Sequence, residues 1–378
     1  MRLPAVLLVL LSAPHAAWGA SLGEQIEESV YFRFYTQGFG RWIDVRPSPL
    51  NPQNFLGIPS RQLGLDLRPD VEVDAWRFEL SAKPRLELRW ERFDGGAEER
   101  DASFFVNEWL ARLRVADPLF VSYGRRNLQW GPSYLLSPSN PFNANNGESN
   151  PRIEVPGLDY AEALWIPGRL WSVQAIANTN RGRLDPRLAF SRTYALKADA
   201  NGHRVYASAV GSYREENEAF RVGGYAGWTV SDAVMLYVEG SSPEVLQEGD
   251  VLVGGVYTFE GGPFAAAELY HHGRGCVEDP IDQCFFPHGA SDPAELLFRK
   301  NYALLQFTYP RAFDAAQITA RWTVGLDDGS SRLVGIWEHE LTDRFAVFAI
   351  GSADLGEAGD EFRSVVGGSV MAGVSFVE

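Results

Sequence analysis

The sequence predicts an all-β protein, a transmembrane antiparallel up-and-down β-barrel of about 16 to 18 strands, with 18 the preferred count. Three observations lead to this prediction. One segment alternates apolar and polar residues without interruption, a secretory leader precedes a chain with no apolar helical span, and runs of about ten residues are separated by turn signals. The 378 residues divide into a leader, residues 1–19, and a single barrel domain, residues 20–378.

The alternating segment runs from Trp76 to Glu91 and reads WRFELSAKPRLELRWE. One parity is apolar throughout, and the other is charged except for one serine. This period-two pattern is typical of a β-strand with one apolar and one wet face. At roughly 3.3 Å per residue the run is about 50 Å long, whereas soluble strands usually have about 5–6 residues. We therefore interpret it as one strand of a membrane-spanning wall, with Trp76 and Trp90 near the two interfaces.

Two observations keep an alternative open. Pro84 has no N–H to donate to a β-ladder, and a closed barrel has no edge strand that would accommodate it. The segment could therefore break at Lys83-Pro84 into two shorter strands. A secreted soluble sheet with one wet face would also alternate in this way.

The first residues, MRLPAVLLVLLSAPHAAWGA, have the features of a secretory signal peptide. Arg2 supplies the positive charge, residues 5–11 are apolar, and residues 17–19 form a small-x-small cleavage signal before Ala20. The apolar segment is too short for a transmembrane helix, and no later run approaches the ~18 apolar residues that a helical span requires. An exported chain of this kind is either secreted or inserted in a bilayer as a closed barrel.

Composition fits the barrel and excludes one class of partner. The net charge of −15 and the pI near 4.9 argue against binding to nucleic acid. The mean hydropathy of −0.18 is low for a helical membrane protein. It is expected for a barrel, because half of each strand faces water and the loops are polar.

The elements follow one another in a regular order. The first strand surrounds Tyr31 to Tyr35, a polar stretch follows from Gly38 to Pro59, and a second strand lies around Arg61 to Leu67. After the long strand and a loop at residues 94–101, two strands pair through a turn at residues 116–117. Later strands pair through short breaks at residues 167–168, 201–202, 231–232, 261–262, 310–313 and 342–343. The longer connections between them lie at residues 180–187, 214–219, 241–249, 272–296, 327–331 and 354–361.

Short and long connections therefore alternate along the chain. Bacterial barrels have short periplasmic turns at one end and long outer loops at the other. The alternation is kept only if Trp76 to Glu91 is one strand, since a break at Pro84 would put the largest loop at the wrong end. The regularity favours the barrel.

The last strand, Arg363 to Val377, places Val366, Val370, Val374 and Phe376 on one face. This ending resembles that of bacterial outer-membrane proteins, in which a near-terminal aromatic residue is recognised by the barrel-insertion machinery. The resemblance implies that machinery as a partner. Here two residues follow Phe376, which departs from the usual ending.

The charged side of the long strand carries basic residues that would line the barrel interior. Lipid-facing Arg or Lys costs about 2–4 kcal/mol at mid-depth, so we expect them to face inward. The candidate pore-lining residues on this and other strands are Arg33, Arg77, Lys83, Arg85, Arg89, Arg112, Arg114, Arg126 and Arg321. Two roles remain open for them. They form a lining that attracts anions, or they pair with Glu79, Glu87, Glu91 and Glu108 and only support the lumen.

The second candidate is the long connection at residues 129–157. A connection this long is usually functional or disordered, and its apolar residues argue against disorder. We predict that it folds into the pore as a constriction loop. The residues it would present to solute are Trp130, Asn140, Asn143, Asn145, Asn146 and Arg152. The alternative is a loop packed over the barrel mouth.

This part of the chain also carries a family resemblance. The runs Gly124-Arg125-Arg126, Gln129-Trp130-Gly131, Ser137-Pro138-Ser139-Asn140-Pro141 and Pro156-Gly157 resemble a segment of porin-like Gram-negative outer-membrane barrels. These include alginate-export-type and related uncharacterised channel families. The resemblance covers about 40 residues and implies a channel of about eighteen strands with a charged lumen. A capsule-attachment barrel has a similar Trp-Gly-Pro turn, so surface polysaccharide is an alternative ligand.

Cys276 and Cys284 lie eight positions apart in an exported chain, and they are expected to form a loop-closing disulfide. His271, His272, Asp279 and His288 lie nearby, but their spacing matches no known metal site, so no metal and no cofactor are predicted. Nor does the sequence contain a GxSxG, HExxH or phosphate-loop motif, so no enzymatic activity is predicted.

Taken together, the sequence predicts an outer-membrane channel, embedded in the lipid bilayer, for diffusion of small hydrophilic solutes, anions among them. One alternative is a plugged barrel that exports or attaches a surface polysaccharide, or that sheathes a partner protein. A second alternative is a secreted β-rich enzyme.

Overall fold

The computed structural model describes residues 29–142, 150–185, 190–216, 218–243, 248–285 and 297–378. Within these ranges, no helix has the length and apolar character needed to cross a membrane. The predicted signal peptide lies outside them, as do Asn143, Asn145, Asn146 and His288.

The described chain is built almost entirely of strands. They are β1 Val30–Val45, β2 Arg61–Ala75, β3 Phe78–Arg92, β4 Glu98–Ala116, β5 Leu119–Arg126, β6 Leu158–Gly168, β7 Trp171–Asn180, β8 Thr193–Asn201, β9 Val205–Arg214, β10 Ala219–Thr229, β11 Val234–Pro243, β12 Asp250–Thr258, β13 Phe264–His272, β14 Asn301–Ala312, β15 Ala316–Gly325, β16 Ser331–Glu340, β17 Phe345–Leu355 and β18 Val366–Val377. Two 3₁₀ turns, Pro52–Asn54 and Ile281–Cys284, lie in the connections.

The strands form a closed antiparallel β-barrel of 18 strands. Each strand pairs with its neighbours in sequence, and β1 pairs with both β2 and β18, which closes the sheet on itself. The predicted fold class and the preferred strand count are therefore confirmed.

The two ends of the barrel differ in their connections. Tight turns such as Trp76-Arg77 and Asp117-Pro118 join each even-numbered strand to the next, and we call this the short-turn end. The largest connections lie at the other end and span residues 46–60, 127–157 and 273–300. We call that the long-loop end.

Successive side chains of each strand face opposite sides of the wall. On β3, Leu80 and Leu88 are exposed on the outer face, whereas Arg85 is only 3% exposed on the inner face. The same alternation places Val222, Leu305 and Trp322 outside, where all three are exposed. Apolar residues outside and polar residues inside are typical of a barrel in lipid.

Pro84 lies within β3 and does not break the strand. The β2–β3 register on both sides of Pro84 places this residue opposite Pro69. Neither proline has an N–H to donate, so no ladder hydrogen bond from an N–H is lost between them. Towards β4 the register shifts between Lys83 and Pro84, and Asn107 is the extra residue of a β-bulge. The closed sheet thus accommodates the proline at a local irregularity, without an edge.

Several predicted boundaries differ from the structure: β2 extends to Ala75 and β18 begins only at Val366, and two further differences have a local explanation. β1 continues to Val45, although the sequence pattern placed a polar stretch from Gly38 onward. Gly38 and Gly40 interrupt the apolar pattern yet keep their pairing with β2. The long strand begins at Phe78, because Trp76, with φ of 58°, forms the turn with Arg77.

Candidate functional site

The described parts of the connection between β5 and β6 (residues 127–157) fold into the barrel. We call it the lumen loop; residues 127–142 and 150–157 of it are described. Two of its segments contact opposite walls. Residues 133–139 contact β11 and β13, and residues 152–154 contact β1, β3 and β16.

The first attachment is made to Glu239, which lies on the inner face of β11 and is 1% exposed. Ser133 Oγ donates to its carboxylate at 2.6 Å, and Ser139 donates through both Oγ (2.7 Å) and backbone N–H (3.2 Å). Ser137 Oγ donates to the same carboxylate. Gly131 comes so close that a Cβ atom there would lie 2.3 Å from Glu239 Oε2, which explains why glycine occupies this position.

Glu268, on the inner face of β13, accepts the next part of the loop. The backbone N–H groups of Tyr134 and Leu135 donate to its two oxygens at 2.7 and 2.8 Å. The Tyr237 hydroxyl donates to the same carboxylate from β11. Two wall carboxylates therefore satisfy the donors of a loop segment that has no ladder partner of its own.

Arg152 attaches the loop to the opposite wall. Its guanidinium donates to the Tyr35 hydroxyl, pairs with Glu338 and lies 4.5 Å from the centroid of the Phe348 ring. Its backbone carbonyl accepts from Gln37 Nε2 at 3.2 Å, and Arg68 donates to it at 2.8 Å. The side chain is therefore held from β1, β16 and β17 together.

Arg85 completes this second attachment from β3. Its Nε and Nη2 each donate to one oxygen of Glu154 at 2.7 Å, a bidentate pair. Its Nη1 donates to Asp70 at 2.9 Å and to the Pro69 carbonyl at 3.0 Å. This predicted lining residue therefore holds the loop.

Trp130 and Asn140 of the predicted constriction lie within the loop's own packing. The Trp130 ring meets Phe142 edge to face with centroids 5.9 Å apart, and Lys197 Nζ lies 5.6 Å from the Trp130 ring centroid. Asn140 is 6% exposed and donates to the Leu128 carbonyl at 2.7 Å. Both residues shape the loop.

A cavity of about 650 Å³ lies between the lumen loop and the inner faces of β1–β3 and β13–β16. Its lining includes Phe264 and Pro310, beside the short-turn end. Five arginines and three carboxylates contribute to it, namely Arg33, Arg68, Arg85, Arg152, Arg321, Asp70, Glu154 and Glu338. Cations therefore outnumber anions in the cavity wall.

Arg33 and Arg321 of the cavity have different surroundings. Arg33 is exposed and forms no ion pair with any residue that the structure describes. Arg321 is 5% exposed and donates to the Gln306 amide oxygen through Nε at 2.9 Å and through Nη2 at 2.6 Å.

The remaining basic residues of the predicted lining are mostly paired across strands. Lys83 lies 3.1 Å from Glu108, Arg112 lies 2.7 Å from Glu79, and Arg126 lies 3.0 Å from Glu162. Arg89 contacts Asp66 and Glu87. Glu91 accepts from Gln62 at 2.7 Å. The inner side of β2–β6 is a ladder of ion pairs.

Two residues of the predicted lining lie near the short-turn end. Arg77 belongs to the β2–β3 turn, where its guanidinium lies 5.0 Å from the Trp76 ring centroid. Arg114 is near the end of β4, 5.6 Å from the Phe120 ring centroid. Both lie away from the lumen loop.

Sequence reasoning did not single out Glu239 and Glu268. Each is the one charged residue of a strand made otherwise of apolar, glycine and hydroxyl residues, apart from the histidines that end β13. A lone carboxylate in the middle of such a strand is a signal that would have identified them, because an unpaired buried charge is costly.

At the long-loop end, the predicted disulfide between Cys276 and Cys284 is formed, which confirms that expectation. His271 and His272 are adjacent on β13 and therefore face opposite sides of the wall. His271 contacts Asn301, whereas His272 contacts Asp250 on the inner side at 2.7 Å.

Arg299 and Glu361 join three loops at this end. Arg299 is 1% exposed and donates to Asp328 at 2.8 Å. Glu361 accepts from the Phe298 N–H at 2.9 Å and from the Tyr302 hydroxyl. Burial raises the pKa of Glu361. Burial also acts to raise the pKa of Asp328, but the backbone N–H groups of Glu361 and Ser330 and the Arg299 guanidinium outweigh it and lower that pKa.

Comparison with known proteins supports the architecture. Neither a protein-family model nor a curated protein matches the chain. Among solved structures, Pseudomonas aeruginosa OccK5 (OpdH) is similar over 93% of this chain and 98% of its own, at 12% identity and a TM-score of 0.58. A double mutant of Rh. blastica porin is similar over 92% of this chain and 100% of its own, at 13% identity and a TM-score of 0.50. At these identities the likeness concerns the fold.

Proposed function

We propose that this chain is an outer-membrane channel through which small hydrophilic solutes diffuse, with a preference for anions. The observation that carries the proposal is the cavity beside the lumen loop, where arginines outnumber carboxylates. The likeness in fold to OccK5 and to a porin supports the channel class. A charged constriction in a water-filled barrel selects ions by the sign of its wall.

Arg33 is the residue that we propose attracts the solute. Arg85 and Arg152 lie close to carboxylates, which cancel much of their field. Arg33 is exposed and forms no ion pair with the described residues. Positive charge that is not cancelled locally acts on ions at longer range.

The paired basic residues of β3–β5 have a different role in this proposal. Lys83, Arg89, Arg112 and Arg126 each lie against a carboxylate on the same or a neighbouring strand. We propose that they stiffen the wall, and that the lumen loop limits the size of the solute.

The test is the reversal potential of single channels in planar bilayers under a KCl gradient. Arg33→Glu is expected to shift it clearly towards cation preference, because the substitution changes the cavity wall by two charges. Arg77→Glu is the matched control, since Arg77 stacks on Trp76 in a turn away from the cavity, and its effect should be much smaller. Equal reversal potentials for wild type and Arg33→Glu would disprove the selectivity role.

A plugged barrel is the second candidate, and the attachment of the lumen loop to two opposite walls favours it. Such a barrel would export or attach a surface polysaccharide, or sheathe a partner protein. Silence of the purified protein in the same bilayers, together with glycan binding at the long-loop end, would support this candidate. It would also support the alginate-export-type resemblance.

The proposal includes the route to the membrane. Residues 1–19 would direct export as a cleaved signal peptide, and the barrel-insertion machinery would recognise β18. In the structure β18 pairs with β1 and closes the barrel, so its insertion would complete the wall. The lipid bilayer is then the partner of the apolar outer face.

A further inference from the structure

We propose that the outer face of β2–β4 binds the phosphate groups of an anionic glycolipid of the surrounding membrane. The site consists of Arg61, Arg92 and Arg100, which we call the arginine patch. This inference rests on the proposed insertion of the barrel in the outer membrane. It does not require that the barrel conduct ions.

The register of the three strands brings the patch together. Arg61 of β2 lies directly opposite Arg92 of β3. Arg100 of β4 lies directly opposite Trp90, two residues before Arg92 and on the same face. That face is the outer one, because the same parity of β3 includes Leu88, which is exposed there. The patch therefore lies on the outer face, between the apolar surface and the long-loop end.

The guanidinium groups of the patch form no ion pair with the described residues. Like charges directly opposite on paired strands repel each other. In the described part of the chain, no residue forms an ion pair or a hydrogen bond with the guanidinium group of Arg61, Arg92 or Arg100. Glu98 lies opposite Arg92 in the register, and its carboxylate accepts a hydrogen bond from the Trp90 indole N–H at 3.3 Å. An external anion would relieve this repulsion.

Depth along the barrel identifies the kind of anion. From Phe78 to Arg92, β3 rises about 35 Å along the axis at a tilt of about 40°, which exceeds the apolar band of about 25 Å. Trp90 on β3 and Trp42, opposite Arg61 on β1, lie beside the patch, at the level of an interfacial girdle. The patch is thus placed where lipid headgroups lie, and arginine binds phosphate oxygens in a bidentate manner.

The spread of the patch favours a headgroup with two phosphates. Three adjacent strands span about 10 Å, because neighbouring strands lie about 4.8 Å apart. A single phosphate is smaller than this distance. On five other strands, β8, β9 and β11–β13, the outward residue nearest the long-loop end is neither arginine nor lysine. These residues are Tyr194, Tyr213, Ser242, Val251 and His271. The patch is therefore a local feature of one side of the wall.

Lipid binding is tested on the purified full chain in detergent by native mass spectrometry. The probes are diphosphorylated lipid A, the same lipid without its phosphates, and inorganic phosphate. The patch variant is R61Q/R92Q/R100Q, and the matched control is R169Q/R204Q/R311Q, which removes three exposed arginines at the short-turn end. We expect the patch variant to bind lipid A at least about tenfold more weakly and the control to bind it as wild type does.

Removal of the phosphates should abolish the difference between wild type and the patch variant, and R61K/R92K/R100K should keep most of the binding. Each single variant, R61Q or R100Q, should give an intermediate loss if the triple variant folds poorly. Equal loss in patch and control variants, or phosphate binding as tight as lipid A binding, would overturn the proposal. The conductance of the patch variant distinguishes failure of the lipid-site proposal from failure of the channel proposal. It should equal that of wild type whether or not the patch binds lipid.

Discussion

The lumen loop is held at its two ends by different chemistry. Residues 133–139 donate neutral hydroxyl and backbone N–H groups to the wall carboxylates Glu239 and Glu268. Residues 152–154 are held by guanidinium groups: Arg85 of the wall forms an ion pair with Glu154, and Arg152 forms one with Glu338 of the wall. One attachment places charge only on the wall, and the other places opposite charges on both partners.

This difference determines how each attachment should respond to substitution. Removal of one member of a buried ion pair leaves the other charge without compensation, and that is the costlier event. Serine hydroxyls can rotate towards another acceptor when their carboxylate is removed, so the cost is smaller. The ionic attachment is therefore expected to be the more sensitive of the two.

The largest effect is expected for Arg85→Ala, which leaves Glu154 and Asp70 without their guanidinium. We expect a loss of about 3 kcal/mol or more in the free energy of unfolding, measured by denaturant titration in detergent. A guanidinium that is 3% exposed loses its hydrogen bonds to two carboxylates, and hydrogen bonds to charged groups contribute about 1.5–3 kcal/mol each. The control is Arg112→Ala, whose pair with Glu79 is more exposed and should contribute about 0–1 kcal/mol. Arg85→Lys should fall between them, because lysine cannot bind Glu154 in the bidentate manner. Equal losses of stability for Arg85→Ala and Arg112→Ala would show that the attachment of the lumen loop by Arg85 contributes no more than an ordinary ion pair of the wall.

A smaller effect is expected for Glu239→Ala, which removes the acceptor of three serine hydroxyls. We expect a loss of about 1.5–3 kcal/mol, together with noisier single-channel currents as residues 133–139 gain freedom. Glu260→Ala, in an exposed turn, is the control and should leave both readouts unchanged. A larger loss for Glu239→Ala than for Arg85→Ala would reverse the order of the two attachments.

The smallest effect on stability is expected from a change of pH at the long-loop end. There, Glu361 accepts neutral hydrogen bonds and Asp328 forms an ion pair, so both kinds of contact lie side by side. Burial raises the pKa of Glu361, so the folded state retains its proton more readily, and stability falls as pH rises from the ordinary glutamate value through the raised pKa. The pKa of Asp328 is lowered beside Arg299, so its contribution is lost only as pH falls below the ordinary aspartate value.

Amide exchange at Phe298 and Arg299, corrected for the intrinsic rate, measures this effect. Protection should decrease from pH 5 to pH 7, and Glu361→Gln should make it independent of pH in that range. Asp328→Asn should weaken protection at both pH values, because it removes the charge that faces Arg299. Protection that increases with pH in the wild type would contradict the assignment to Glu361.

The sequence allowed much of the wall to be predicted but little of what lies inside it. Strict alternation in Trp76 to Glu91 predicted a long strand, and regular turn signals predicted about eighteen. The same alternation gave no indication that Pro84 would sit opposite Pro69 beside a bulge at Asn107. Bulges depend on the neighbouring strand, so one strand's pattern does not reveal them.

The candidate site was predicted only in part for a related reason. Arg85 and Arg152 were named from their position in the sequence, but their partners come from other strands and from the loop. Glu239 lies about 100 residues from the serines that it binds. No local pattern links residues at such a distance, because the link is made by closure of the barrel.

The sequence by itself determined a chain whose side chains alternate between apolar and polar with the period of a strand, and hence a wall with one face for each medium. The tertiary structure alone decided which arginines are cancelled by carboxylates and which are not, where the lumen loop is attached, and that Arg61, Arg92 and Arg100 share one surface. The physical reason is register: period-two alternation fixes the face of each residue, but its neighbours across the sheet depend on the alignment of whole strands.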